Sequence, residues 1–397
     1  MTTASPPDPR PGARAGSGPA SAAAGPGEEL QRGAGGALPG AGERLLDLAA
    51  ALVAVPSESR RERALADLVE ARLGGRRELR VERVGDSVVA RTDLGTGRRL
   101  VLAGHLDTVP PFDDRPPRVD GGVLWGLGAV DMKGGLAVLL DLAATATPAV
   151  DVTWVLYACE EVDRAENALG RLAVERPELL AGDAAVLLEP TGGVVEAGCQ
   201  GTARAEVRLR GRRAHTARPW TGVNAVHRLG PVLDVLNRYR PRRVVLDGCE
   251  FAEQLQAVRV AGGVAGNVVP DDASVTVNFR FAPDRGEAEA RAELHAMFGD
   301  VLGEEDELVV TDIAAGAPPG LGHPLLAALV AASGAPPRAK VGWTDVATFA
   351  AAGVPAANFG PGDPLLAHTP DEHVSVAELL AVRRALGRLV GEGPAAA

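Results

Sequence analysis

The chain has 397 residues, 46% hydrophobic and 23% charged, which is enough for two or three domains of roughly 150 residues each and a large core. Only 4 Trp, 2 Tyr and 7 Phe are present, and 52 acidic against 41 basic residues leave a net charge of −11. Ala, Val and Leu must therefore build the core, and nucleic acid is excluded as the main partner. No apolar stretch approaches the ~18 residues of a membrane span, and Cys159, Cys199 and Cys249 have no paired spacing, so a reducing, cytoplasmic setting is expected.

Of the first 41 residues, 29 are Ala, Gly, Pro or Ser, too few apolar side chains to offset the entropy of ordering. Residues 1–42 are expected to be a disordered tail with no secretory signal, and 392–397 a similar one. Helical spacing then starts near Leu45 and returns over Arg61 to Leu73. The short apolar runs Arg99 to Ala103, Val152 to Tyr157 and Ala184 to Leu188 predict buried strands of a mainly parallel sheet. Helices at Gly134 to Ala146 and Arg171 to Leu180 fit between them, giving an α/β layered domain over 43–203. Alternating polarity at Ala203 to Leu209 and Ser274 to Phe281 predicts antiparallel strands, accompanied by helices at Asn224 to Tyr239 and Glu287 to Phe298. An α+β domain is thus inserted at 204–312. The α/β pattern resumes over 313–391, with helices near Pro324 to Ala332, Asp345 to Ala352 and Val376 to Val390 and a strand at Val354 to Phe359.

Three of the apolar strands run directly into metal-type residues: His105, the pair Glu160 and Glu161, and Glu189. The carboxyl ends of parallel strands are where such sheets place ligands. A glycine-rich turn brings Asp131 to the start of a helix, and a Gly-Pro-Gly-Asp-Pro loop leads to His368. Gathering Asp131, Glu160, Glu161 and Glu189 in one partly buried site is strongly repulsive without cations. Two Zn²⁺ balance three ligand carboxylates and one hydroxide, leaving Glu160 free as a base. Imidazole and carboxylate donors without thiolate suit zinc, with cobalt or manganese as substitutes.

These segments, His105-Leu-Asp107-Thr-Val-Pro, Gly126 to Gly135, Glu160-Glu161, Glu189-Pro-Thr and the His368 loop, resemble the di-zinc aminoacylase and carboxypeptidase family. Glu196 to Thr202, Gly262 to Pro270, Val277 to Pro283 and Gly342-Trp-Thr-Asp345 are similar to its desuccinylase branch, and the resemblance spans about 43–390. It implies a di-zinc peptidase-like domain with an inserted lid and dimerisation domain, and two Zn²⁺ per chain bridged by Asp131. His105 and Glu189 would complete one metal site, and Glu161 and His368 the other. Asp107 would hold the His105 tautomer, Glu160 would be the general base, and the Asp131-Met132 peptide would be cis. It further implies a homodimer in which His215 reaches the partner's site as an oxyanion donor, with Arg280, Asn267 and Thr344 contacting substrate. The implied reaction is hydrolysis of N-succinyl-LL-2,6-diaminopimelate to succinate and LL-2,6-diaminopimelate. Another N-acyl amino-acid deacylase or a carboxypeptidase is the nearest alternative, and a non-catalytic binding protein on this fold a remote one.

Each of these signals has a plainer explanation. A lone His-x-Asp is usually a structural pair, and a Glu-Glu pair is commonly exposed charge; their places at buried strand ends argue otherwise. His373 competes with His368, but it is expected on a solvated edge before the last helix. His227, His295 and His323 read as ordinary surface or partly buried histidines. Most of the six arginines between 204 and 218 read as a solvated strand face. Thr348 stands where the similar desuccinylases commonly carry arginine.

Overall fold

The computed structural model describes residues 40–392, so the expected tails fall outside the described residues except at their inner edges. There the chain is helical, in Ala41–Val53 and Val376–Glu392. The first helix turns Leu45, Leu46, Leu48, Ala49, Leu52 and Val53 inward, the stripe that a 3.6-residue period produces.

The main sheet has eight strands in the order Arg80–Val84, Ser87–Arg91, Asp151–Tyr157, Arg99–His105, Ala184–Leu187, Ala356–Asn358, Glu196–Ala197 and Arg338–Ala339. Its central strands run parallel, with Arg99–His105 between Asp151–Tyr157 and Ala184–Leu187, and Ala356–Asn358 joins on the far side of Ala184–Leu187. Alternation divides the core. Leu100, Leu102, Trp154 and Val186 face helices Ala41–Val53, Lys133–Thr145 and Val376–Glu392. Val101, Ala103, Val155 and Leu187 face Ala168–Glu175 and Val346–Ala351.

A second sheet of four antiparallel strands lies within residues 201–314, in the order Gln254–Gly262, Asp272–Phe281, Gly201–Arg210 and Glu307–Ala314. Ala203, Ala205, Val207, Val277, Phe279 and Phe281 pack from this sheet onto helices Leu229–Arg238 and Glu287–Phe298, making a core of their own. The other face of the sheet is polar, which accounts for the period-2 pattern.

Three boundaries differ from expectation, each because of proline. The helix expected from Asn224 begins at Leu229, since Pro231 lacks an N–H and fits only the first turn. The helix expected over Arg171 to Leu180 is shifted to Ala168–Glu175, where Asn167 caps the N–H groups of Leu169 and Gly170. It stops at Arg176 because Pro177 disfavours helical backbone in the preceding residue. The strand expected from Val354 shortens to Ala356–Asn358, just past Pro355.

The helix Lys133–Thr145 starts hard against the end of a strand. A Cβ on Gly135 would lie 2.6 Å from the carbonyl oxygen of Leu188, so only glycine allows this approach next to Glu189. Gly135→Ala should therefore lose about 1–3 kcal/mol in urea unfolding, as overpacking does. Gly170→Ala, in helix Ala168–Glu175 with open space around it, should gain about 0.5–1 kcal/mol from helix propensity. Equal stability of the two variants would contradict the steric argument.

Candidate metal centre and active site

Strand register places the expected ligands at one edge of the main sheet. His105 pairs with Tyr157 and Ala103 with Leu187, so the residues that follow each strand emerge side by side. One ligand atom each from His105, Asp131 and Glu161 lie within 4.8 Å of one another. His105 Nε2 is 3.0 Å from Asp131 Oδ1. His368 Nε2 is 3.4 Å from Asp131 Oδ2 and 2.7 Å from Glu161 Oε1, so Asp131 stands between the two imidazoles. The Asp131-Met132 peptide is cis. His373 lies outside this cluster, its ring stacked on Trp125 at 4.1 Å.

Asp107 meets His105 chiefly through its main chain. His105 Nδ1 is held by the main-chain carbonyl of Asp107 at 3.0 Å, while the carboxylate Oδ1 stands 3.6 Å from the same nitrogen. That carboxylate is turned to stronger partners. It accepts the main-chain N–H groups of Glu160 at 3.0 Å and Glu161 at 2.9 Å, and the Ser59 hydroxyl at 2.8 Å. Asp107 thus fixes the imidazole through its backbone and the Glu160-Glu161 turn through its side chain.

The electrostatics are those of crowded carboxylates. Burial raises Glu189 to about 7, the Asp131 charge adding to the rise and His105 opposing it. Burial likewise holds Glu160 well above the usual carboxylate range, reinforced by Glu189, Asp345 and Glu161. Burial also works against the Asp131 charge, but hydrogen bonds from His105 and His368 outweigh it and hold this carboxyl low. The same contacts with Asp131 and Glu161 lift His368 to about 10. Glu189 Oε1 is buried and has no hydrogen-bond partner among the described residues. Oxygen and nitrogen donors converging without thiolate, one of them a buried carboxylate oxygen with no proton to accept, fit one or more divalent cations of the zinc type.

Two further charged groups, buried Asp345 and partly buried Lys340, take part in the network around this cluster. Asp345 accepts Asn167 Nδ2 at 2.7 Å and the Thr348 hydroxyl at 3.0 Å, so Thr348 faces a carboxylate inside the protein. Lys340 Nζ lies 2.8 Å from Glu196 Oε2, and its charge tempers the rise of Glu189. The Asn167–Asp345 and Glu196–Lys340 contacts each join segments far apart in the sequence.

The remaining expected residues lie elsewhere. Thr344 is buried, its hydroxyl donating to Asn358 Oδ1 at 3.1 Å. Arg280 lies on the four-stranded antiparallel sheet, its Nε donating to Asn278 Oδ1 at 3.0 Å. His215 is exposed in the short strand Ala214–His215, pairs with Val268 and accepts the Ala217 N–H at 3.0 Å. Asn267 is its neighbour, with its carbonyl accepting the Thr216 N–H. Among the described residues, none of these contacts brings His215 or Asn267 to the cluster of their own chain.

Comparison with known proteins agrees with this geometry. Residues 101–392 match peptidase family M20/M25/M40. The chain is 45% identical over 350 residues to the succinyl-diaminopimelate desuccinylase of Corynebacterium glutamicum, covering 86% of this chain and 94% of that one. It is 53% identical over 348 residues to a Mycobacterium tuberculosis protein provisionally named succinyl-diaminopimelate desuccinylase DapE, covering 87% and 98%. The fold is similar to that of a Staphylococcus aureus tripeptidase, with TM-score 0.71 at 20% identity over 88% of this chain and 97% of that one. It is also similar to a Bacillus subtilis dinuclear metal-binding peptidase, with TM-score 0.64 at 16% identity over 88% and 97%. With its strand-end cluster of His105, Asp131, Glu161 and His368, the chain belongs to peptidase family M20/M25/M40.

Proposed function

We propose that this protein is a zinc-dependent amide hydrolase that converts N-succinyl-LL-2,6-diaminopimelate and water to succinate and LL-2,6-diaminopimelate, in diaminopimelate and lysine biosynthesis. The convergence of His105, Asp131 and Glu161 ligand atoms within 4.8 Å carries the hydrolytic reading. The two relatives at 45% and 53% identity, by their names, supply the substrate. Three free cysteines agree with a reducing compartment such as the cytoplasm. Among the described residues no helix is long and apolar enough to cross a membrane.

In this reading His105, Asp131 and Glu189 would hold one Zn²⁺, and Asp131, Glu161 and His368 would hold a second. Such a pair, when bound, polarises a carbonyl and lowers the pKa of water towards 7. The carboxylate of Glu160 accepts the proton of the attacking water and returns it to the leaving amine nitrogen. Its buried surroundings favour holding that proton between the two steps. Asp107 keeps Glu160 and Glu161 at fixed positions through their main-chain N–H groups. Arg280, Asn267 and Thr344 contact the substrate, and guanidinium suits its carboxylates. His215 of the partner subunit stabilises the developing oxyanion. The dimer this requires is supported by the outer strand Gln254–Gly262, which is exposed along nearly its whole length, with Val258 and Val260 more than half accessible.

Chelation should abolish activity, Zn²⁺ or Co²⁺ should restore it, and metal analysis should find two ions per chain. Full turnover by metal-free protein would disprove the mechanism. Succinate release from succinyl-diaminopimelate, assayed beside acetylornithine and a dipeptide, tests the substrate, and preference for either of the latter would overturn the assignment. Glu160→Gln should keep the metal and lower kcat by about 10²-fold or more, whereas Glu161→Gln should weaken metal binding itself. Equal metal loss in both would mean that base and ligand are exchanged.

Glu160→Ala and His215→Ala chains should each be nearly inactive alone. Random co-refolding makes half the dimers mixed, and one site in each mixed dimer joins an intact Glu160 to an intact His215. Activity should then recover to about a quarter of wild type. No recovery in dimers shown to be mixed would rule out the shared site.

A further inference from the structure

We propose that Glu372 is a positioning residue: its carboxylate clamps the loop carrying Asp131 and ties it to the segment carrying His368, so that these two ligands are presented together. The inference rests on the metal-centre reading above.

Glu372 lies four residues after His368 and is only 2% exposed. Its carboxylate is held by main-chain donors of a loop more than 240 residues away. Oε2 accepts the Gly128 N–H at 3.0 Å, and Oε1 accepts the N–H groups of Val130 at 2.8 Å and Asp131 at 3.0 Å. Its own carbonyl accepts the Gly126 N–H at 3.0 Å. Gly128 has φ +82°, a conformation open to glycine at no steric cost, and it lets the loop curl so that its N–H groups converge on one anion, as backbone nests do. The strand His373–Ser375 then pairs with Val123–Trp125, which seats Glu372 beneath the loop.

Asp131 is therefore held at both ends. Its main-chain N–H is bound by Glu372, and its side chain reaches His105 and His368. Glutamine at 372 would offer one acceptor oxygen and turn an NH₂ group towards an N–H donor. Aspartate, shorter by one methylene, would keep the charge without spanning the same donors. A purely structural anchor would change stability alone. A positioning group must also change how the loop binds a cation.

The test uses the full chain stripped of metal, with Zn²⁺ affinity measured by chelator competition and Co²⁺ binding by its visible spectrum. Glu372→Gln and Glu372→Asp are compared with Glu378→Gln. Glu378 caps the Ser375 N–H and hydroxyl at 2.9 and 2.7 Å and serves as a control for a partly buried structural anchor. Glu372→Gln should keep the wild-type circular dichroism spectrum and lose about 10–100-fold in Zn²⁺ affinity. Its Co²⁺ spectrum should change, and kcat should fall with little change in KM. Glu372→Asp should show a smaller loss, and Glu378→Gln none. Wild-type affinity and spectrum in a folded Glu372→Gln chain overturn the proposal, as does failure of both Glu372 variants to fold, which would make the residue a fold anchor only. If the wild-type chain itself binds neither ion, the metal-centre reading falls and this inference with it. Tight binding by wild type and Glu372→Gln alike removes this inference alone.

Discussion

Like-charge repulsion among carboxylates is the constraint on which the rest of the structure depends. Asp131, Glu160, Glu161 and Glu189 are crowded at the carboxyl edge of the main sheet, and all four are at most partly exposed. Two of them, Glu160 and Glu189, are held above their usual pKa by burial and by neighbouring carboxylates. Such a cluster is unfavourable by itself. It persists because parallel strands of fixed register deliver His105, Glu161 and Glu189 to neighbouring positions, and because the packed core on both faces of the sheet leaves those strands no freedom to separate.

Main-chain donors then set the finer geometry. The buried carboxylate of Asp107 binds two consecutive N–H groups, those of Glu160 and Glu161. Glu372 binds three in the loop that carries Asp131. Backbone amides satisfy a buried carboxylate without a mobile counter-ion, so the ligand loops are fixed while their side chains remain available to a cation. Glycine permits the necessary closeness at Gly128 and Gly135, where a bulkier residue would be strained or would strike a neighbouring atom.

The four-stranded antiparallel sheet follows a different logic. One of its faces and two helices form a core of their own. Arg280 lies on it, and His215 and Asn267 lie at the short Ala214–His215 strand, apart from the strand-end cluster of the same chain.

Local sequence was sufficient for whatever depends on chain-neighbour chemistry. Short apolar runs between helical repeats specified a layered α/β domain, and strict alternation marked Gly201–Arg210 and Asp272–Phe281 as strands with one face covered. Residues placed directly after buried strands, His105, Glu161 and Glu189, were legible because strand ends in such sheets face ligands. Proline positions 177, 231 and 355 could have refined three boundaries from the residues alone. Tertiary structure decided what depends on segments meeting across the chain. That Asp107 holds His105 through its carbonyl and the Glu160-Glu161 turn through its carboxylate follows from the distance between two strand ends. That Asn167 binds Asp345, and that Glu372 grips the loop of Gly128, Val130 and Asp131, follows from packing. Periodicity and spacing record which face a residue presents; hydrogen-bond partners more than 200 residues apart leave no such periodic trace, because the folded core alone brings them within 3 Å.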